Sequence, residues 1–350
     1  MKYNKLVIDK PFLFEAGGRI DHLDLVYYTS ERAYRPGDKV VWICHALTGN
    51  ANPEDWWPQL VGKGKFFDPD RYFIVCVAML CSPYGETGPA SVNPATGRPY
   101  FFDFPRTTVR DIVAAENLVR KHLGIERIDL MLGPSIGGFQ ALEWVIMEPE
   151  VVKDVVFLAT STRVTPFMTA FNESQRMALE ADPTFREAKD LSGGRAGLAC
   201  ARSIALISYR TYAGYNLTQP ETEVDTLFAD RAASYQRYQG EKLLRRHFDA
   251  YSYWYLTYAL DSQNVGRGRG GVEAALSRIQ ANCMVISIDS DVLFPPSHGR
   301  ATVAALKYAA YREISSAFGH DGFLVENDQL TDILQPLLEK NDKKEQNTSL

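Results

Sequence analysis

Short apolar runs alternate with amphipathic stretches through the first half of the chain. Apolar runs of five to eight residues indicate buried strands, and apolar positions at helical spacing over residues 107–123 indicate a helix. The predicted strands are residues 23–29, 40–44, 72–79, 128–132 and 155–159. Buried strands separated by helices are typical of a mostly parallel sheet that helices cover on both faces. The pattern therefore predicts an α/β protein.

The pattern changes after residue 164. Residues 165–275 contain no convincing strand but several aromatic-rich helical stretches, and strand and helix alternate again over residues 283–314. We interpret residues 165–275 as a helical lid inserted into a core formed by residues 1–164 and 276–338. The aromatic residues of the lid then form its own core or a dimer interface. The charged and polar tail, residues 339–350, is predicted to be disordered.

The sequence Gly133-Pro134-Ser135-Ile136-Gly137 lies between a predicted strand and a predicted helix. A G-x-S-x-G motif in that position is the nucleophile elbow of α/β-hydrolase enzymes. Glycine is needed on both sides because larger side chains would collide across so sharp a turn. The turn exposes the serine hydroxyl at the N-terminus of a helix, where backbone amides stabilise developing negative charge. Ser135 is therefore the predicted nucleophile of an α/β-hydrolase fold.

Partners for this serine follow in the order that the fold requires, which is serine, acid and then histidine. Asp289 and Asp291 come directly after the predicted strand 283–288, and His320 follows the predicted strand 311–314. An imidazole activates the serine hydroxyl, and a carboxylate fixes the tautomer of the imidazole. We predict Asp291 as the acid, because Asp289 is closer to the strand and better placed for a local hydrogen bond.

The chain has six histidines, and the other five have structural interpretations. His45 ends the predicted strand 40–44 and begins a loop that supplies oxyanion-hole amides on this fold. We therefore interpret His45 as architectural and His320 as the catalytic base.

Composition excludes several classes of function. The chain has 350 residues, a net charge of −5 and 45% hydrophobic residues, which suits a globular protein without a basic surface for nucleic acid. No apolar run approaches the ~20 residues that cross a bilayer, and no apolar signal segment follows the N-terminus. Five cysteines without metal-ligand spacing predict no metal site and a reducing, cytoplasmic location.

Several further segments carry a family resemblance, together with the elbow. They are His45-Ala46-Leu47-Thr48-Gly49, Gly88-Pro89-Ala90-Ser91-Val92-Asn93-Pro94, Thr96-Gly97-Arg98-Pro99-Tyr100, Gln140-Ala141-Leu142-Glu143-Trp144, Ala170-Phe171-Asn172-Glu173, Tyr238-Gln239-Gly240-Glu241-Lys242, Asp289-Ser290-Asp291-Val292-Leu293-Phe294-Pro295-Pro296 and Gly319-His320-Asp321. On these segments the chain resembles the homoserine O-acetyltransferase family of the α/β-hydrolase superfamily. The resemblance covers nearly the whole length.

The resemblance implies acyl transfer from acetyl-CoA to the hydroxyl of L-homoserine by a ping-pong mechanism, a reaction of methionine biosynthesis. Acetyl-CoA is a co-substrate in this interpretation, and no cofactor is bound. Ser135, Asp291 and His320 match the family triad, and the backbone amides of Leu47 and Ile136 match the oxyanion hole.

The resemblance also implies how the amino acid is held. Arg202 matches the arginine that binds the carboxylate of the acceptor, and Asp321 matches the acid that binds its ammonium group. Tyr209 is expected to add a polar contact. A homodimer formed through the lid is expected as well.

The sequence departs from the family pattern near the acyl pocket. Pro134 and Ile136 flank the serine where the family has glycine and methionine, and Glu86 replaces a small hydroxyl residue. If Glu86 faces the site, its charge disfavours an anionic succinyl group.

Four alternatives stay open from the sequence. Within the transferases, serine as the acceptor or succinyl-CoA as the donor would keep the same mechanism. The choice between homoserine and serine stays open because one methylene changes discrimination by only ~1–3 kcal/mol. A lid-covered esterase would use the same triad with water, but it has no need of Arg202 and Asp321. A non-catalytic binding protein on this fold would have no need of the triad.

Overall fold

The strands form one large sheet and two short hairpins in a computed structural model that describes residues 1–223 and 225–346. The strands are β1 Lys2–Ile8, β2 Phe12–Leu13, β3 Arg19–Ile20, β4 Leu23–Thr29, β5 Val40–Cys44, β6 Phe73–Val77, β7 Val92–Asn93, β8 Arg98–Pro99, β9 Ile128–Pro134, β10 Val152–Leu158, β11 Asn282–Ile288 and β12 Ala309–Ile314. The large sheet has eight strands in the order β1-β4-β6-β5-β9-β10-β11-β12.

Helices connect most of these strands. They are α1 Pro53–Trp56, α2 Val109–His122, α3 Ile136–Met147, α4 Pro166–Glu180, α5 Pro183–Glu187, α6 Arg195–Tyr209, α7 Tyr212–Thr218, α8 Arg231–Arg245, α9 Ala250–Asp261, α10 Val272–Leu276, α11 Pro296–Ala304, α12 Gly322–Val325 and α13 Asn327–Gln346. Short 3₁₀ turns occupy Phe101–Asp103 and Gly319–Asp321.

The sheet is mostly parallel, as the sequence predicted. Five pairings from β6 to β12 are parallel, and only β1 with β4 and β4 with β6 are antiparallel. The sequence analysis did not predict β1. This edge strand has no buried residue, so it carries no apolar run that would mark it.

Both faces of the sheet are buried, and β5 shows how the sequence achieves this. Successive side chains of a strand point to opposite faces, so Val40, Trp42 and Cys44 join one hydrophobic core while Val41 and Ile43 join the other. The predicted apolar run at this position is therefore a consequence of burial on two sides. Within the described residues, no helix is long and apolar enough to cross a membrane.

The parallel strands bring four loops to one edge of the sheet. His45 follows β5, Ser135 follows β9, Asp291 follows β11 and His320 follows β12. The carboxyl ends of parallel strands share an edge, and ligands bind there in open α/β sheets.

The segment between β10 and β11 is helical, from α4 to α10, in the part that the structure describes. Its two ends are joined to each other: the Val164 amide donates to Gln263 (3.0 Å) and the Val265 amide donates to Thr162 (3.1 Å). The chain before α4 and the chain after α9 therefore run side by side. The division of this segment from the core at residues 165 and 275 stays a prediction.

The aromatic residues of α9 form the interior of the helical segment. Tyr251, Tyr253 and Tyr255 are buried, and their hydroxyls donate to Phe185 O, Gln175 Oε1 and Phe104 O. Buried tyrosines need such acceptors, which fixes the packing of the helices around them.

The predicted disordered tail falls partly on α13. Residues 339–350 were predicted to be disordered, but the backbone of α13 continues to Gln346, because no helix-breaking residue follows Pro336 within that span. Residues 347–350 lie outside the described residues.

A carboxyl group of α2 is buried in the core. Glu116 is 1% exposed, and neither carboxyl oxygen has a hydrogen-bond partner among the described residues. Burial raises the pKa of Glu116 well above its usual range. A raised pKa in the folded state favours the protonated acid, so stability falls as the pH rises from the unfolded pKa of ~4.3 toward the folded one.

We predict that Glu116→Gln flattens the pH dependence of stability. The variant should gain stability over the wild type as the pH rises above ~4.3, by up to about 1.4 kcal/mol per pH unit in that window. Urea unfolding between pH 4 and 8 measures the difference, with the exposed Glu126→Gln as the matched control. An equal pH slope in all three proteins would contradict the prediction.

Candidate active site

Ser135 lies on a turn that only small neighbours permit. Its φ is 59°, in the left-handed region that side chains rarely adopt. A Cβ atom at Gly137 would overlap the carbonyl oxygen of Cys44, and one at Gly133 would overlap the backbone of Gly137. The backbone after β9 therefore passes so close to β5 that glycine is required at both positions.

Hydrogen bonds on both sides hold this turn. The Ser135 amide donates to Leu158 (3.0 Å), and the Ser135 carbonyl accepts from the Gly138 amide (2.9 Å) and the Thr160 hydroxyl (3.0 Å). Helix α3 begins at Ile136, whose amide has no acceptor within the helix because it lies in the first turn. Hydrogen bonds to β10 and α3 thus stabilise the strained backbone of Ser135.

His320 is paired with Asp291. The Nδ1 atom of His320 is 2.7 Å from Oδ2 of Asp291, and both residues are 3% exposed. The other carboxylate oxygen accepts from the amides of Leu293 (2.8 Å) and Phe294 (3.0 Å). These bonds fix the carboxylate, which in turn fixes the imidazole with Nε2 as its free nitrogen.

Opposing effects act on the pKa of His320. Burial lowers it, but the charge of Asp291, the hydrogen bond to Asp291 and the charge of Asp321 together raise it above its usual value. The protonated form of this imidazole is therefore stabilised inside a buried site.

Asp289 has a different environment. Its carboxylate accepts from the Ser315 hydroxyl (2.7 Å) and the Ser316 amide (3.0 Å). These contacts join the ends of β11 and β12. Asp289 thus makes local hydrogen bonds, and Asp291 is the acid that reaches His320.

His45 shapes the loop opposite the serine. It is fully buried, its Nε2 accepts from the Met79 amide (3.0 Å), and its Nδ1 contacts the Ala46 carbonyl (2.9 Å). Burial lowers the pKa of His45 to about 4, so the ring is neutral at physiological pH. These contacts hold the loop of residues 45–49, which includes Leu47.

One cavity contains Ser135 and His320. Its walls come from the 45–49 loop, from α6 and α8, and from the loop and helix after β12. The helical segment therefore covers the serine. The lining residues are Ala46, Leu47, Thr48, Gly49, Trp56, Ser135, Arg202, Leu206, Tyr209, Arg210, Gln239, Lys242, Leu243, Arg246, His320, Asp321, Phe323 and Leu324.

The structure brings the predicted residues of the site together. Arg202, Tyr209 and Asp321 line the cavity with Ser135. The guanidinium of Arg202 lies 5.4 Å from the Tyr209 ring centre. Burial raises the pKa of Tyr209, so its hydroxyl stays protonated. Ile136 is fully buried and does not line the cavity.

Three cationic residues of the cavity were missed in the sequence. Arg210 adjoins Tyr209. Lys242 lies in the last turn of α8 and Arg246 directly follows the helix, four residues later, a spacing that places both on one side. Lys242 belongs to a segment that carried the resemblance, so the spacing of Lys242 and Arg246 was a signal available in the sequence. Arg210 gave no comparable signal.

Glu86 does not meet the condition under which it would disfavour a succinyl group. Glu86 is 5% exposed, does not line this cavity, and accepts from the Val26 amide at 2.7 Å. Burial raises its pKa well above the usual range, which favours the uncharged acid. Glu86 therefore gives no argument against a succinyl group.

Metal chemistry was also considered. Across residues 1–223 and 225–346, no group of three or more histidine, cysteine, aspartate or glutamate side chains is arranged to hold a metal ion.

Known proteins share this architecture. Residues 39–327 match the family model of the α/β-hydrolase fold, which confirms the predicted fold. The chain is 43% identical to a homoserine O-acetyltransferase of Cyclobacterium marinum over 92% of this chain and 91% of that protein. A homoserine O-acetyltransferase from Bacillus anthracis is 25% identical, with a TM-score of 0.87 over 96% of this chain and 97% of that one. An acetylester hydrolase from Corynebacterium glutamicum shares the fold, at 23% identity and a TM-score of 0.82 over 97% and 96% of the two chains.

We predict that Asp291→Asn lowers the reactivity of Ser135 by about 10⁴-fold, because the imidazole loses the partner that fixes its tautomer. Acylation of the protein by p-nitrophenyl acetate measures this reactivity. Asp289→Asn is the matched control and should retain most of it. A similar loss in both variants would contradict the assignment of Asp291.

Proposed function

We propose that this chain, which belongs to the homoserine O-acetyltransferase family of the α/β-hydrolase superfamily, transfers an acetyl group from acetyl-CoA to the hydroxyl of L-homoserine. The chain is an O-acyltransferase, and the proposal concerns its donor, acceptor and mechanism. One observation supports it above the others: Ser135 and His320 share a cavity with Arg202 and Asp321. A nucleophile and base thus lie beside two opposite charges, which match the two charges of an amino acid.

In the first half of the mechanism, Ser135 becomes acetylated. The free Nε2 of His320 takes the proton of the serine hydroxyl as its oxygen attacks the thioester carbonyl. The negative oxygen of the tetrahedral intermediate receives hydrogen bonds from the amides of Leu47 and Ile136. The intermediate collapses, the C–S bond breaks, and His320 returns the proton to the CoA sulfur.

In the second half, homoserine takes the acetyl group. Arg202 binds the acceptor carboxylate with a planar guanidinium suited to two hydrogen bonds, and Asp321 binds the ammonium group. His320 takes the proton of the acceptor hydroxyl as its oxygen attacks the acetyl carbon. The bond to Ser135 Oγ breaks, the serine regains the proton, and O-acetyl-L-homoserine leaves.

The cavity also suits a phosphate-bearing donor. Its lining contains two further cationic side chains, Lys242 and Arg246. Lys242 lies in the last turn of α8 and Arg246 directly follows the helix, and no ion pair of either with a carboxylate is found among the described residues. Cations in this position complement the phosphates of CoA.

Water competes with homoserine for the acetyl group, so the helical segment over Ser135 matters to the outcome. Apolar residues of the lid and of α12, Leu206, Leu243 and Phe323, line the cavity next to the polar groups. We propose that these residues limit the access of water. We place the reaction in methionine biosynthesis in the cytoplasm, without a bound cofactor.

The experiment that tests the function measures CoA release from acetyl-CoA or succinyl-CoA with homoserine, serine or no acceptor. We predict fast release only with acetyl-CoA and homoserine together, and loss of that release in Ser135→Ala. A preference for serine or succinyl-CoA would overturn the substrate assignment and keep the mechanism. Release that does not depend on an acceptor would indicate a hydrolase, and no release from any pair would favour a binding protein.

We also propose a homodimer through the lid. Large hydrophobic residues are exposed along the segment from α6 to α8, namely Ile207, Tyr212, Leu217, Leu227, Phe228 and Tyr238. Tyr212 is 88% exposed, and Leu217 is 66% exposed. Apolar surface of this extent on one segment is typical of an interaction site.

We predict that the double variant Ile207→Lys/Leu217→Lys is monomeric, because two charges cannot be buried in an apolar interface without partners. Sedimentation velocity at micromolar concentration compares it with the wild type and with Leu13→Lys, an exposed leucine far along the chain from the lid. A wild type that sediments as a monomer would contradict the proposal, as would a double variant that remains dimeric.

A further inference from the structure

The corner between α6 and α7 rests directly on the loop that carries His320. The Tyr209 ring centre is 5.8 Å from that of His320, and the Thr211 hydroxyl donates to the Ala317 carbonyl. Between these two contacts, Nε of Arg210 is 2.7 Å from Oδ2 of Asp321. The lid and the histidine loop are thus joined at three consecutive residues of the lid.

The backbone of Arg210 is held in place in this corner. It caps the C-terminus of α6, where its amide donates to Leu206 (3.1 Å). Its guanidinium carbon lies 5.5 Å from the ring centre of Phe318. The side chain is therefore directed along the surface of the histidine loop toward Asp321.

The contact with Asp321 is a partly shielded ion pair. The side chains of Arg210 and Asp321 are 23% and 13% exposed. Nε of Arg210 and Oδ2 of Asp321 lie at ion-pair distance, 2.7 Å apart. A carboxylate has two oxygens that can each accept more than one hydrogen bond, so Asp321 remains available to another donor.

Position makes this pair important for the reaction. Asp321 follows His320 in the chain, lines the cavity, and raises the pKa of His320 by its charge. A carboxylate in this place without a counter-charge could turn toward the imidazolium that forms during catalysis. The carboxylate of Asp321 would then no longer be oriented to bind an incoming ammonium group.

We propose that Arg210 is a positioning residue, which holds the carboxylate of Asp321 in the orientation that receives the ammonium group of the amino-acid acceptor. This inference rests on the proposed function, since it assumes an acceptor with an ammonium group. Arg210 acts on the acceptor through Asp321, whereas Arg202 acts on it directly. Its charge also offsets the effect of Asp321 on His320.

The groups that face His320 set the sign of the pH effect. They are Asp291 from the loop after β11, Asp321 from its own loop, Tyr209 from α6, and Ser135 from the elbow, with Arg210 behind Asp321 and His298 of α11 near Asp291. Loss of the positive charge of Arg210 favours the imidazolium. The pKa of His320 should then rise, and the basic form needed for catalysis should appear at higher pH.

The test uses Arg210→Met, Arg210→Lys and the control Arg245→Met. Arg245 is a lid arginine whose side chain is 55% exposed, and it pairs with Glu241 rather than lining the cavity. We expect Arg210→Met to raise KM for homoserine about tenfold. The burst of CoA release without acceptor, measured well above the pKa of the base, should change less than twofold.

Arg210→Lys separates charge from shape. It retains the positive charge, so we expect the His320 titration, followed by NMR, to shift upward in Arg210→Met and to stay near the wild type in Arg210→Lys. The acceptor KM of Arg210→Lys should lie between those of the wild type and Arg210→Met. Arg245→Met should match the wild type in every readout.

Two results would overturn the inference. One is an acceptor KM in Arg210→Met no higher than in Arg245→Met, and the other is an equal fall in both half-reactions, which would indicate a general structural role. If the wild type acylated no amino acid, the function proposed above would fail by itself. The His320 titration would then decide on Arg210, and an unchanged titration in Arg210→Met would reject its role.

Discussion

The close approach of the elbow to strand β5 is the constraint on which the site depends. Gly137 lies against the carbonyl of Cys44, and Gly133 lies against Gly137, so that no Cβ fits at either position. This packing holds Ser135 in a left-handed conformation that the residue would not adopt alone. The packing of a central sheet that is buried on both faces offsets the free-energy cost of this conformation. A strained nucleophile is thus carried by a closely packed turn at the edge of the central sheet.

Two histidines at the same edge of the sheet show how surroundings separate structural from chemical roles. His45 is buried against backbone groups, and its pKa falls to about 4, so it serves as a neutral hydrogen-bonding residue. His320 is equally buried, but the carboxylate of Asp291 reverses the effect of burial and raises its pKa. The proximity of a carboxylate therefore distinguishes the proposed base from the structural ring.

Local signals made most of the core, and the positions of the three candidate triad residues, predictable from sequence. The apolar runs of β5, β9 and β11 are buried, and Ser135, Asp291 and His320 lie in the loops that follow strands. The features that the sequence did not predict depend on packing between segments that are distant in the chain. The edge strand β1 lacks an apolar run because none of its residues is buried. The direction of the Glu86 side chain is set by the Val26 amide, sixty residues earlier in the chain. The role of Arg210 could not be predicted, because its contact with Asp321 forms only where the lid packs against the loop that carries His320.

The central claim is a covalent acetyl-enzyme on Ser135. Its most direct test is mass spectrometry of the protein after rapid quenching with acetyl-CoA alone, followed by a chase with homoserine. The account predicts one acetyl group on the peptide that contains Ser135, and its loss on the chase with formation of one equivalent of O-acetyl-L-homoserine. Normal turnover with no acetyl group on Ser135 at any time would contradict the account, because the transfer would then pass directly from donor to acceptor.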